Sequence, residues 1–171
     1  MKQSGGSIYV YSEPGRGTTF KVYVPHVEDE VEISTRGLSA AEMPRGSETI
    51  LVAEDEAGLR KIVSELLKGL GYTVLLAEHG ADALLVSEAH DGPIHLLVTD
   101  VVMPGIGGRE LADRLVRSRP ALRTLYLSGY TDDAVIAQGV FANEMTFLQK
   151  PFAGVDLAQK VRDVLEASPR S

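Results

Sequence analysis

Between Glu48 and Glu166 short apolar runs alternate, five times in succession, with stretches whose apolar residues recur at helical spacing. Few architectures accept that pattern. A run of four or five apolar residues between turn signals reads as a strand buried on both faces. A helix after each strand brings the chain back to lie parallel to the one before. The predicted strands are Thr49–Ala53, Tyr72–Leu76, Leu96–Val98, Thr124–Leu127 and Thr146–Gln149. Leu59, Ile62, Val63, Leu66, Leu67 and Leu70 mark the first helix, which Gly71 closes. Helices are then predicted over Ala81–Ala89, Arg109–Arg117 and Ala134–Gln138, with a last one carrying Val155, Ala158, Val161 and Leu165.

The expectation is an α/β fold: a flavodoxin-like, five-stranded parallel sheet in the order 2-1-3-4-5 with helices on both faces. In such sheets ligands bind outside the carboxyl ends of the strands, where the strand order reverses. The first strand ends in Glu54-Asp55, the third in Asp100, the fourth in Ser128 and the fifth in Lys150. Met103-Pro104-Gly105 and Gly107-Gly108 force a loop after Asp100, so its carboxylate faces a crevice. Taken singly, each residue has a plain structural explanation, as a turn acid, a charge at a helix N-terminus or a solvated lysine. Together they make a site. Three crowded carboxylates need a counterion, which a hard divalent cation such as Mg²⁺ (or Mn²⁺) supplies. A hydroxyl and an ammonium can hold the oxygens of a phosphoryl group placed on Asp100, the positioning and electrostatic equipment of phosphoryl transfer.

The first 47 residues differ. Ser7–Tyr11 and Thr18–Val24 alternate around a turn at Glu13–Gly17, and Pro25 stops the second run, so residues 1–25 predict a β-hairpin. Residues 26–47 open acidic and lose periodicity, and read as a flexible linker. The net charge of −7 argues against a nucleic-acid or membrane-surface binder. The absence of cysteine excludes disulfides and thiolate metal sites. With no apolar run long enough to span a bilayer and a polar N-terminus, the chain reads as cytoplasmic.

Residues 48–167 resemble a response-regulator receiver domain of two-component signalling. The matching residues are Glu54-Asp55, Asp100-Val101-Val102-Met103-Pro104 with Gly108, Ser128, and Phe147-Leu148-Gln149-Lys150-Pro151-Phe152. The resemblance implies that Asp100 is the phosphoacceptor. Asp55 and Asp100 would bind Mg²⁺ directly and Glu54 largely through water, with the backbone carbonyl of Val102 as a further ligand. Ser128 and Lys150 would contact the phosphoryl oxygens, Phe147 would be the aromatic switch, and Val102 and Tyr130 would flank the path of hydrolytic water. Glu54 stands where Asp is more usual.

Gln3 to Phe20, with Gly15-Arg16-Gly17-Thr18 as a last glycine box, resembles the end of a histidine-kinase ATP-binding domain. The residues of that domain which hold base and metal are not among them, so kinase activity is not read here. The order kinase remnant, linker, receiver, with a short tail at 168–171, is that of the C-terminal end of a hybrid histidine kinase. Its partners would be the phosphohistidine (dimerisation) domain of a kinase or a histidine phosphotransfer protein. Output would pass through protein contacts, including a weak homodimer through the fourth helix, fifth strand and fifth helix of the receiver. A receiver-like module that docks on a kinase without being phosphorylated is the alternative, which the complete acid, hydroxyl and lysine set disfavours. A dehalogenase-like phosphatase would need a second Asp at position 102, where Val stands.

Overall fold

The computed structural model describes residues 7–13, 17–23, 43–129 and 146–167. Two compact units form, Met1–Arg36 and Gly37–Ser171. In the first, β1 (Ser7–Glu13) and β2 (Gly17–Tyr23) pair antiparallel from Ser7↔Tyr23 to Glu13↔Gly17. The hairpin read in the sequence is present, with its first strand running further than Tyr11.

The second unit runs β3 (Thr49–Ala53), α1 (Ala57–Gly69), β4 (Thr73–Ala77), α2 (Gly80–Ala89), β5 (Leu96–Asp100), α3 (Gly108–Ser118), β6 (Arg123–Ser128), β7 (Thr146–Gln149) and α4 (Gly154–Glu166). The sheet is parallel throughout, in the order β4-β3-β5-β6-β7. Counted within this unit that is 2-1-3-4-5, the flavodoxin-like arrangement. The helix predicted over Ala134–Gln138, Tyr130, residues 24–42 with most of the linker, and the tail 168–171 lie outside the described residues.

Because successive strand residues point to opposite faces, the sheet divides the core into two layers. On one side Ile50, Val52, Leu96, Val98, Leu125 and Leu127 pack with Val63 and Leu67 of α1 and Leu157, Ala158 and Val161 of α4. On the other, Leu51, Ala53, Leu97 and Tyr126 meet Ala83 of α2 and Leu111, Ala112 and Leu115 of α3. Each fully buried Leu or Val contributes about 1.5–3 kcal/mol relative to exposure. One member of the predicted stripe of α1 departs from it: Ile62 is 64% exposed. A stripe drawn at i, i+3 and i+4 is wider than the face α1 buries, and Ile62 falls on its rim.

Gly71 ends α1 as predicted, and the reason is a Schellman motif. Its φ is +98°, its N–H donates to Lys68 O (3.0 Å) and the next N–H, of Tyr72, to Leu67 O (3.2 Å). Residues 43–48, most of them read in the sequence as the end of the linker, belong to this unit. Met43 packs on the core, Gly46 N–H donates to Leu70 O (3.2 Å) and Glu48 pairs with Arg162 of α4 at 2.7 Å. No periodicity announces these anchors because each is a single contact to a distant element.

Candidate functional site

The parallel register brings the carboxyl ends of β3, β5, β6 and β7 to one edge. Val52 and Ala53 lie beside Val98 and Thr99, Asp100 beside Leu127, and Ser128 beside Gln149. The next residue out on each strand, or its last, is therefore Glu54, Asp100, Ser128 or Lys150.

Gly108 keeps α3 close behind Asp100. A Cβ there would collide with the Asp100 carbonyl oxygen, so only glycine fits without movement of the backbone. The Gly108 N–H donates to Val101 O (3.1 Å), closing the loop that Met103-Pro104-Gly105 opens. Beneath the loop Met103 is buried against Thr99, whose hydroxyl donates to the Asp100 carbonyl at 3.1 Å.

Glu54, Asp55 and Asp100 each offer a carboxylate oxygen, and these oxygens lie within 4.8 Å of one another. Lys150 Nζ donates to both Asp100 Oδ2 (2.8 Å) and Glu54 Oε2 (2.9 Å). The Glu54 side chain is 1% exposed and that of Lys150 22%. Burial pushes the Glu54 carboxyl above its ordinary value and the Asp100 charge adds to this, against the pull of Lys150 and the Glu56 N–H. At Lys150 burial works against the charge, but its hydrogen bonds to Asp100 and Glu54 prevail and hold the ammonium above its ordinary value. The two partners differ because Glu54 is sealed from water while Lys150 reaches it. One ammonium cannot neutralise three carboxylates, so the cluster retains an excess of negative charge and of oxygen donors. That donor set fits a hard divalent cation.

Ser128 is buried at the end of β6. Its hydroxyl donates to Gly129 O at 3.4 Å, and its carbonyl accepts the Lys150 N–H at 2.7 Å. Phe147 of β7 is half-buried, its ring centroid 5.5 Å from that of Tyr126. Burial, with the Asp113 charge, pushes the Tyr126 hydroxyl up to about 12. Val102, two residues beyond Asp100, is 62% exposed. The structure thus brings together Glu54, Asp55, Asp100 and Lys150, with Ser128 on the same edge. Sequence reasoning missed Arg60, whose guanidinium donates to the carbonyl of Glu54 at 2.6 Å. Its one signal was a cation one turn into the helix that follows the acidic pair.

The response regulator receiver domain profile matches residues 50–162. The sensor kinase CckA of Brucella abortus (strain 2308) is 36% identical over 173 residues, which cover 97% of this chain and 18% of that protein. The response regulator receiver protein CpdR of the same organism is 32% identical over 119 residues, covering 70% of this chain and 98% of its own length. Among solved structures, the receiver domain of the hybrid histidine kinase CckA is 31% identical with a TM-score of 0.53, covering 69% of this chain and 99% of that one. A response regulator receiver protein from Sinorhizobium medicae WSM419 is 27% identical with a TM-score of 0.62, covering 71% of this chain and 96% of that one. This chain belongs to the response regulator receiver domain family, and its second unit is a receiver domain of two-component phosphorelay. Domains of this class work with kinase or phosphotransfer partners. Among the described residues no helix is long and apolar enough to cross a membrane.

Proposed function

We propose that Asp100 is the phosphoacceptor. The observation that carries this reading is the acid cluster: three carboxylate oxygens within 4.8 Å, with the ammonium of Lys150 bridging two of the three side chains. A divalent cation, Mg²⁺ or Mn²⁺, would be held by Glu54, Asp55, Asp100 and the Val102 carbonyl, and would neutralise charge on the transferring group. The chain's own residues do the rest. A carboxylate oxygen of Asp100 attacks the phosphorus of a phosphohistidine in line with the leaving imidazole nitrogen. The P–O bond forms as the P–N bond breaks, and the electron pair stays on the imidazole. Lys150 turns its charge to a phosphoryl oxygen, and the Ser128 hydroxyl, leaving its long contact with Gly129, donates to another.

The chain spans 18% of the length of the sensor kinase it matches over nearly its whole extent. That match, running through hairpin and receiver alike, supports reading residues 1–25 as the end of a histidine-kinase ATP-binding domain and the parent as a hybrid kinase. A phosphohistidine domain or a histidine phosphotransfer protein is then the donor or acceptor. The test is incubation with Mg²⁺ and acetyl phosphate, read by intact mass. We expect one added phosphoryl group per chain, dependent on the cation and absent in Asp100→Asn. Equal labelling of that variant would overturn the assignment.

A further inference from the structure

We propose that Arg60 is a positioning residue for the divalent-cation site, acting through the backbone that carries Glu54 and Asp55; this rests on the reading of that site given above. Arg60 lies in the first turn of α1, and its side chain is only 14% exposed. One guanidinium nitrogen donates to the carbonyl oxygens of Glu54 (2.6 Å) and Asp55 (3.4 Å). The other donates to Glu78 Oε1 (2.9 Å), just beyond the carboxyl end of β4. A second tie, Glu54 N–H to Ala77 O at 3.3 Å, joins the same two strand ends.

These bonds fall on the main chain of the two acids, in the crossing from β3 to α1. Their carboxylates stay available to a cation and to Lys150. The placement matters because the crossing carries two of the three clustered acids. A ligand set works only when its atoms are held to within about half an ångström, and two adjacent acids on an untethered loop would not be. A guanidinium is suited to holding them. Its rigid planar fork grips two carbonyls and a carboxylate in different directions at once, which the single ammonium of lysine cannot do.

The test is calorimetric Mg²⁺ titration of the full chain, without phosphodonor, at a temperature well below the unfolding midpoint. The parent, Arg60→Met, Arg60→Lys, Glu78→Gln and Asp55→Asn are compared, and the unfolding midpoint of each metal-free variant is measured separately. We expect Arg60→Met to weaken Mg²⁺ binding about tenfold or more, Arg60→Lys to recover part of the loss, and Glu78→Gln, which loosens the anchor of the guanidinium, to fall between Arg60→Met and the parent. If Arg60→Met does not fold, Arg60→Lys carries the test. A lowered midpoint with Mg²⁺ affinity within about twofold of the parent in Arg60→Met, or in Arg60→Lys where Arg60→Met does not fold, would assign the residue a structural role only and overturn the inference. Affinity lost in Asp55→Asn but kept in Arg60→Met would leave the cation site standing and remove Arg60 from it. A parent that binds no Mg²⁺ would overturn both.

Discussion

Val102 stands two residues beyond Asp100 with most of its surface open to solvent. Hydrolysis of an acyl phosphate needs a water held in line with phosphorus, and an isopropyl group can neither orient nor deprotonate it. Tyr130, two residues beyond Ser128, is likewise neither acid nor amide, and both residues are bulky enough to crowd the path of the water. We therefore expect slow loss of phosphate, and a gain of roughly tenfold, about 1.4 kcal/mol of barrier, in the double variant Val102→Asn, Tyr130→Glu. Decay of the phosphorylated chain after donor removal measures it, and a double variant that decays no faster would discard this account. Glu48 gives a different single-residue expectation. Burial opposes its charge, but the hydrogen bond and charge of Arg162, with the Ser47 and Glu48 N–H groups, hold its carboxyl below the ordinary value of 4.5. A carboxyl depressed in the folded state contributes stability above its unfolded pKa and loses it as pH falls through the folded one. Denaturation of the parent and of Glu48→Gln should differ by a constant amount above about pH 5, with the difference shrinking below about pH 4.

Among the elements, α2 is held by a residue outside it. Arg119, at the C-terminal end of α3, donates to the carbonyls of Ser87 (2.8 Å), His90 (2.7 Å) and Gly92 (2.7 Å) and to the Ser87 hydroxyl (2.9 Å). It supplies partners to carbonyls that the end of a helix leaves orphaned. Arg119→Ala should destabilise the receiver by about 2–3 kcal/mol, with amide exchange rising first in α2. Denaturant midpoints and exchange rates check it. Why this contact escaped sequence reasoning, while Asp100 did not, is a matter of range. The apolar runs and the glycine after α1 act within one or two turns of chain, so strands, helix ends and strand-end acids could be placed from spacing alone. Strand order then brought Glu54, Asp100 and Lys150 together. Arg119, Arg60 and the Glu48–Arg162 pair join elements through side chains whose reach no periodicity encodes. Ile62 fails in the opposite sense: its spacing is right, yet the face α1 buries is narrower than the pattern.

At the scale of the molecule, a hairpin and a receiver share one chain, and a phosphoryl group on Asp100 would replace the single carboxylate charge with about 1.5–2 negative charges, a net gain of up to about one for the receiver alone. Within the receiver, the sheet's division of the core into two layers has a consequence for how it tolerates change. Leu51 and Val52 are neighbours in sequence but belong to different layers, whereas Val52 and Val98 share one and lie side by side across β3 and β5. Truncations of Leu51 and Val52 to Ala should therefore add to within about 0.5 kcal/mol, while those of Val52 and Val98 should couple by more than that. A double-mutant cycle in denaturant decides it, and strong coupling between Leu51 and Val52 would contradict the separation. Two interiors that do not negotiate with each other can drift independently. The side bearing α1 and α4 is free to vary while the side bearing α2 and α3 keeps its packing, so half of such a core can be rebuilt without unsettling the other half.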